Sequence, residues 1–153
     1  MIRGAAAHWR VMGARRKGRI IAFQSLYRFD LAGASVQELL DFSWMDGERA
    51  EKMSPETLAF ARLLITGSVE NLPAIDDIIR SQLENWDFSR LNRVDLALLR
   101  MSVYCLLHQS DIPPTVTIDE AVDISKTYGT ADSYRFINGV LDGVRKKLAS
   151  SGA

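Results

Sequence analysis

Residues 90–107, RLNRVDLALLRMSVYCLL, form the most apolar segment of this 153-residue sequence. Apolar residues from Val94 to Leu107 would occupy nearly every side of the helix that the segment predicts. A helix that is hydrophobic all round is buried at the centre of its fold. Arg100 needs a partner there or a route to solvent, because an unpaired buried charge is costly. The sequence therefore predicts a central buried helix that extends to about His108.

The rest of the chain also has the residue pattern of helices. Apolar residues recur three or four positions apart, as at Ile20, Phe23 and Tyr27, and no alternating strand pattern is sustained. Residues 43–53 are mixed and polar around Asp46, which predicts a loop. The fold class is all-α. About seven helices are predicted, at residues 14–31, 35–42, 54–68, 73–83, 90–108, 117–128 and 133–147.

Local signals mark where several of these helices begin and connect. Ser35 and Glu38 have the spacing of a capping box. Ser54 is followed by a proline, and this pair is typical of a helix start. The connection before the central helix contains Trp86 and Phe88, and we expect both rings to pack back on the core.

Length and composition fit one globular domain. Hydrophobic residues make up 47% and charged residues 25% of the chain. No apolar run approaches the roughly 20 residues of a membrane span, and residues 1–12 lack the apolar core of a secretory signal. The single cysteine, Cys105, lies in an apolar run, so a buried thiol in a reducing cytoplasm is expected. We expect a disordered extension at residues 1–13, one domain at 14–148 and a tail at 149–153.

Charge is unevenly distributed although the chain is neutral as a whole. The first 19 residues contain six basic residues and no acid, so the remainder has a net charge of −6. Basic residues clustered at one end favour contact with a polyanion. The alternative is a solvated tail without a role, since short basic runs are common.

No catalytic or metal-binding pattern is evident in the sequence. There is no glycine-rich phosphate loop, no Gly-x-Ser-x-Gly elbow and no spacing of histidine and cysteine typical of zinc. The neighbouring carboxylates Asp76 and Asp77 would point about 100° apart on a helix, so they do not converge as an acid–base pair. We expect both on a solvated face. The chain is predicted not to be an enzyme and to need no cofactor or metal.

Several segments match the motifs of a known family in order and separation. They are ARRKGRIIAFQSLY at 14–27, the central segment at 90–107, DIP at 111–113, TIDEAVDISK at 117–126, YG at 128–129 and SYRFINGVLD at 133–142. Over about residues 14–147 the chain strongly resembles the NusB family of bacterial transcription antitermination proteins. The domain is also similar to the N-terminal RNA-binding part of some ribosomal RNA cytosine methyltransferases. The chain ends where their catalytic domain would begin, which favours the stand-alone protein.

The resemblance implies a fold and a function. The fold would be two packed three-helix bundles. The protein would bind the boxA element of nascent ribosomal RNA together with a small-subunit ribosomal protein that acts as NusE, in a complex on RNA polymerase that suppresses premature termination. Some members form homodimers that cover the RNA surface. The alternatives are a protein-interaction module and a ribosomal RNA maturation factor.

The resemblance also implies two RNA-binding regions. Their residues are Arg15, Arg16, Lys17, Arg19, Gln24, Tyr27, Asp132, Arg135 and Phe136. Guanidinium groups suit phosphates and stacked bases, and a helix N-terminus offers N–H groups to phosphate. Asp132 would repel phosphate, so Asp132→Asn is expected to strengthen RNA binding. The alternatives are that Gln24 is an ordinary exposed residue and that Tyr27 and Phe136 belong to the core. Asp132 or Ser133 would then simply cap the last helix.

For the protein partner, the resemblance points to Arg93 and Asp95 near the start of the central helix. The alternative is that both are ordinary exposed charges of a first helical turn. Glu120 is expected to be structural, as a partner for Arg100. Gly139 is expected to allow close packing of the last helix.

Overall fold

All regular structure in the described part of the chain is helical. The computed structural model describes residues 13–151. The extension expected at residues 1–13 therefore lies, except for Gly13, outside the described residues. Within them the helices are α1 (Ala14–Ala32), α2 (Val36–Leu40), α3 (Gly47–Glu51), α4 (Pro55–Glu70), α5 (Leu72–Ser81), a 3-10 turn (Phe88–Arg90), α6 (Arg93–His108), α7 (Pro114–Tyr128) and α8 (Ser133–Ser151). The predicted all-α class is confirmed.

Side-chain caps begin two helices where the sequence predicts them. The Ser35 hydroxyl accepts a hydrogen bond from the Glu38 backbone N–H at 3.2 Å and starts α2. The Ser54 hydroxyl accepts from the Thr57 backbone N–H at 3.1 Å and starts α4. Each cap satisfies a backbone donor that would have no partner within its helix.

Several boundaries differ from the predictions, including the start of α6, which is Arg93 and not residue 90. Residues 47–51 form α3 inside the predicted loop, with the Asp46 carboxylate accepting from the Glu48 N–H at 3.4 Å. Helix α7 begins at Pro114, because a proline in the first turn costs no hydrogen bond. Helix α8 continues to Ser151, so residues 149–151 of the predicted tail are helical. Leu148, just before them, packs against the core.

Helix α6 lies at the centre of the fold, as predicted. It packs against α1, α4, α5, α7 and α8. Helices α1 and α4 also pack against each other, and so do α7 and α8. The molecule therefore has two three-helix groups that share α6. Leu98, Leu99 and Val103 of α6 are fully buried in the hydrophobic core.

The buried cation of α6 has a partner that the sequence analysis did not identify. Nε and Nη2 of Arg100 each donate to an Asp76 carboxylate oxygen at 2.9 Å. Asp30 lies 3.6 Å from Arg100 Nη1. The predicted partner Glu120 is wrong, and Asp76 is only 8% exposed instead of solvated, because α5 packs directly on α6.

Two other side chains near α6 have contrasting environments. Cys105 is buried as expected, and burial raises the pKa of its thiol to about 12. The expectation that Trp86 packs back on the core is wrong, because its side chain is 63% exposed, whereas Phe88 does pack against the core.

In residues 13–151, no single helix is long and apolar enough to span a membrane. Only α4 and α5 taken together, bent by 76° at their junction, reach that length and composition.

Candidate nucleic-acid interface

The first turn of α1 presents the basic residues of the N-terminal arm without any acid. Arg15 is exposed, and its guanidinium lies 4.6 Å from the centre of the Phe60 ring on α4. Lys17 is half-buried on the same turn. The start of α1 therefore places one guanidinium at the exposed surface, over an aromatic ring.

Arg16 is held by two carboxylates of α7. Its Nε and Nη2 atoms donate to Glu120 at 2.7 and 2.9 Å, and Nη2 also donates to Asp123 at 3.0 Å. These contacts, led by the hydrogen bond to Glu120, raise the pKa of Arg16 above its ordinary value. A phosphate would have to compete with both carboxylates for this guanidinium.

The structure corrects the placement of Arg19. Its side chain is only 4% exposed, with the guanidinium 5.2 Å from the centre of the Phe60 ring and 3.9 Å from Glu120. Burial, the largest effect, lowers its pKa from the ordinary value. Arg19 lies one helical turn deeper than Arg15, where α4 covers it. It supports the packing of α1 and cannot present its charge to a phosphate in solvent.

Gln24 and Tyr27 are half-buried on α1. The Gln24 side-chain oxygen accepts a hydrogen bond from Arg49 Nη2 at 2.8 Å, so Gln24 is not an ordinary exposed residue. Tyr27 packs against the core with part of its surface open. Both side chains line a cavity between α1, α3 and the end of α7.

The start of α8 brings together the second set of predicted residues. Asp132 and Arg135 are exposed and Phe136 is half-buried. The Ser133 hydroxyl is buried and accepts a hydrogen bond from the Thr130 backbone N–H at 2.9 Å, so it fixes the turn that precedes the helix. Arg135 Nε donates to the hydroxyl of Tyr134 at 2.8 Å, which holds its guanidinium at the surface.

A cavity of about 330 Å³ opens beside this turn. Trp86 and Phe136 line it with their ring centres 6.0 Å apart. Asp132 and Asp95 line it as well. The cavity therefore joins residues predicted for RNA with one predicted for the protein partner.

The two residues predicted for the protein partner differ in exposure. Arg93 is exposed and pairs with Asp30 at 2.9 Å. Asp95 is 6% exposed, which corrects the expectation of an exposed charge. Its Oδ1 atom is buried without a hydrogen-bond partner in the described residues. Burial raises the pKa of Asp95, and a hydrogen bond with the Ser133 side chain offsets part of that rise. Any residue on a helix surrounded by other helices tends to be buried, and the apolar pattern of α6 was the signal for this.

Helix α7 connects the two regions. Its middle holds Arg16 through Glu120, and its end packs Tyr128 edge-on against Phe23 of α1 at 5.2 Å between ring centres. The chain then turns directly into α8. Glu120 and the end of α7 are about 12 Å apart along the axis. The arm and the turn before α8 are thus separated by about half the length of one helix.

The cavity that Gln24 and Tyr27 line contains two residues that sequence analysis missed. Trp44 and Arg49 lie on or beside α3, inside the predicted loop. Their only sequence signal was an aromatic followed five residues later by a cation.

Among residues 13–151, no group of three or more histidine, cysteine, aspartate or glutamate side chains is placed to hold a metal ion.

Comparison with known proteins identifies the family. The model of the NusB family matches residues 16–146. The transcription antitermination protein NusB of Treponema pallidum (strain Nichols) is 51% identical over 132 residues, covering 86% of this chain and 92% of that protein. Its counterpart in Treponema denticola is 45% identical over 133 residues, covering 87% and 96%. A chain in the crystal structure of antitermination factors NusB and NusE in complex with dsRNA superposes with a TM-score of 0.78 and 29% identity, covering 90% of this chain and 99% of that chain. The chain described here belongs to the NusB family.

Proposed function

We propose that this chain is a cytoplasmic transcription antitermination factor. It binds the boxA element of nascent ribosomal RNA together with the ribosomal protein that acts as NusE. The pair joins a complex on RNA polymerase and promotes complete transcription of ribosomal RNA. Family membership supports this proposal, and so does the similarity to a chain of a structure that contains NusB, NusE and RNA.

The observation that carries the proposal is the pair of exposed surfaces at the starts of α1 and α8. Exposed Arg15 lies at the start of α1, and exposed Arg135 lies beside half-buried Phe136 at the start of α8. Single-stranded RNA is bound by cations along its backbone and by aromatic rings that stack on its bases. The two regions therefore supply both kinds of contact, and α7 connects them.

Roles follow from exposure. Arg15 and Arg135 contact phosphates, with Lys17 beside them, and Phe136 stacks on a base. Asp132, exposed one turn before Phe136, weakens phosphate binding, so Asp132→Asn tightens it. Arg16 joins the phosphate contacts only when it leaves its carboxylates, and Arg19 acts through packing.

The protein partner binds at the cavity of about 330 Å³ that Asp95 lines. A buried carboxylate oxygen without a hydrogen-bond partner gains stability when a partner supplies a donor. Arg93 lies two residues before Asp95 in the first turn of α6, and its exposed guanidinium, paired with Asp30 at 2.9 Å, is available for a contact of opposite charge. The same cavity contains Asp132 and Phe136, so bound RNA and bound protein would touch each other there.

Fluorescence anisotropy with a labelled boxA-like RNA tests the assigned residues. Arg15→Met and Arg135→Met should each weaken binding several-fold and reduce its salt dependence, because each removes about one phosphate contact. Lys147→Met is the matched control, since Lys147 is an exposed cation at the other end of α8. Equal effects of all three variants would show only a loss of net charge and would contradict the assignment.

A second arm of the experiment addresses the alternatives. If the wild-type protein binds neither boxA-like nor scrambled RNA, even with the ribosomal protein present, the proposal fails. Sedimentation would then distinguish a homodimer with a covered RNA surface from a monomeric protein-interaction module. Binding to mature ribosomal RNA alone would favour a maturation factor.

A further inference from the structure

A second cavity lies apart from the starts of α1 and α8. It has a volume of about 540 Å³, within the range of about 300–1,000 Å³ typical of small-molecule sites. It is open to solvent between α1, the segment leading into α3, and the end of α7. Its prominent walls are Tyr27, Arg28, Leu31, Trp44, Arg49 and Tyr128.

The walls of this cavity are aromatic and partly exposed. Trp44 and Tyr27 are half-buried, and Tyr128 is 37% exposed although it packs edge-on against Phe23. Leu31, on the rim, is 59% exposed. Monomeric proteins seldom leave such a group of large apolar side chains open without a ligand. Aromatic walls offer flat surfaces on which a planar ring can stack.

Two cations converge on the same indole. The guanidinium of Arg28 lies 5.0 Å, and that of Arg49 5.7 Å, from the centre of the Trp44 ring. Arg49 also donates to Gln24, which orients it along the wall. Burial is the main influence on Arg49 and lowers its pKa, so its charge is held in a partly desolvated place. Two positive charges around one aromatic wall favour a ligand that is both flat and anionic.

The cavity continues the surface that the basic arm begins. Phe23 and Tyr27 follow Arg16 by seven and eleven residues, so the three side chains lie on one face of α1. That face runs beside α7, as the contacts of Arg16 with Glu120 and of Phe23 with Tyr128 show. Arg16 and Tyr27 are about 16 Å apart along the helix axis. Because α7 covers the face between them, a strand of RNA bound at the arm would have to span this distance to place a base in the cavity.

We infer that the cavity is a nucleotide pocket in which Trp44 stacks on one base of bound single-stranded RNA while Arg28 and Arg49 hold its phosphate. The inference rests on the proposed RNA-binding function and extends it to residues that the family motifs do not include. A peptide segment of a protein partner would fit the apolar walls, but it gives no reason for two arginines on one indole. A nucleotide accounts for both features.

Position-specific fluorescence tests the pocket. A set of short boxA-like RNAs carries 2-aminopurine at one position at a time, and each RNA is titrated with the full chain. Stacking on an indole quenches 2-aminopurine, so one position should be quenched by the wild-type protein. Trp44→Leu keeps an apolar wall and should abolish that quenching. It should also weaken RNA binding by about tenfold, within the range measured for base–aromatic stacking.

A second variant avoids dependence on the half-buried tryptophan. Arg28 is exposed, so Arg28→Met should fold normally and still weaken RNA binding several-fold. Arg62→Met is the matched control, because Arg62 is also exposed and lies 5.0 Å from the centre of an aromatic ring, that of Phe42. Circular dichroism confirms that each variant is folded.

The outcomes separate the pocket from the proposed function. If RNA binding depends on Arg15 and Arg135 but not on Arg28 or Trp44, the pocket is wrong and the proposed function stands. If Trp44→Leu weakens only the binding of the ribosomal protein, the cavity is a peptide site and the inference is overturned. If the wild-type protein binds no RNA, both fail together.

Discussion

The guanidinium of Arg16 on α1 and the carboxylate of Glu120 on α7 form a two-point ion pair, with distances of 2.7 and 2.9 Å. Asp123 adds a third contact at 3.0 Å. An arginine of the basic arm is thus already neutralised within the protein. Bound phosphate would have to displace these carboxylates, so the pair sets how much of the arm's charge is available to RNA.

Removing the outer carboxylate should release part of that charge. Asp123 is half-exposed, and exposed ion pairs contribute only about 0–1 kcal/mol to stability. Asp123→Asn should therefore leave the unfolding midpoint nearly unchanged and tighten RNA binding about two- to fivefold. Asp142→Asn, which removes a carboxylate paired with Arg145 on α8, is the control. Equal tightening by both variants in anisotropy titrations would indicate a general charge effect and not release of Arg16.

Asp76 and Asp77 are neighbours with opposite environments. Asp76 is buried against Arg100, whereas Asp77 forms an exposed pair with Arg80 at 3.0 Å. Asp76→Asn leaves the buried guanidinium of Arg100 with the more distant Asp30 as its remaining carboxylate, and it should lower the free energy of unfolding by about 3 kcal/mol, the lower end of the range for a broken buried pair. Asp77→Asn should lower it by less than about 1 kcal/mol. Chemical denaturation measures both, and similar losses for the two variants would refute the buried pair.

The buried carboxylate of Asp95 predicts a pH dependence of stability. Burial raises its pKa in the folded state, so the native protein binds this proton more tightly than the unfolded chain does. Stability is therefore lost as pH rises from the unfolded value of about 3.9 through the folded pKa. Asp95→Asn should raise the melting temperature at pH 7, and the gain should shrink towards pH 4. A variant that is less stable than wild type at pH 7 would contradict this.

Two glycines should respond in opposite directions to alanine. A Cβ at Gly67 would collide with the ring of Tyr104, so Gly67→Ala should be strongly destabilising. A Cβ at Gly139 would meet nothing within 4 Å, which corrects the expectation that this glycine allows close packing. Gly139→Ala should raise the free energy of unfolding by roughly 0.5–1 kcal/mol, because alanine restricts the unfolded chain. Thermal denaturation of the two variants tests this difference in sign.

Local sequence signals predicted what depends on local physics. The apolar run of α6 and the caps at Ser35 and Ser54 are properties of a few neighbouring residues, and the structure has them where they were predicted. The five-residue α3 was missed because so short a helix depends on a single cap at Asp46 and on packing around it.

Pairings between helices could not be predicted in the same way. The partner of Arg100 is Asp76 and not Glu120, because the choice depends on which helix packs against α6. Arg15 and Arg19 belong to one basic run, yet α4 leaves the first exposed and buries the second. The sequence thus indicated where the cations of the candidate interface are, but only the tertiary packing decides which of them meet solvent.

The central claim is sequence-selective RNA binding that the ribosomal partner strengthens. The most direct measurement compares the affinity of the full chain for boxA-like RNA and for a scrambled RNA of equal composition, with and without the small-subunit ribosomal protein. We predict tighter binding to the boxA-like RNA, a difference that grows with the partner, and weakening at higher salt. Equal affinity for the two RNAs in the presence of the partner would contradict the account.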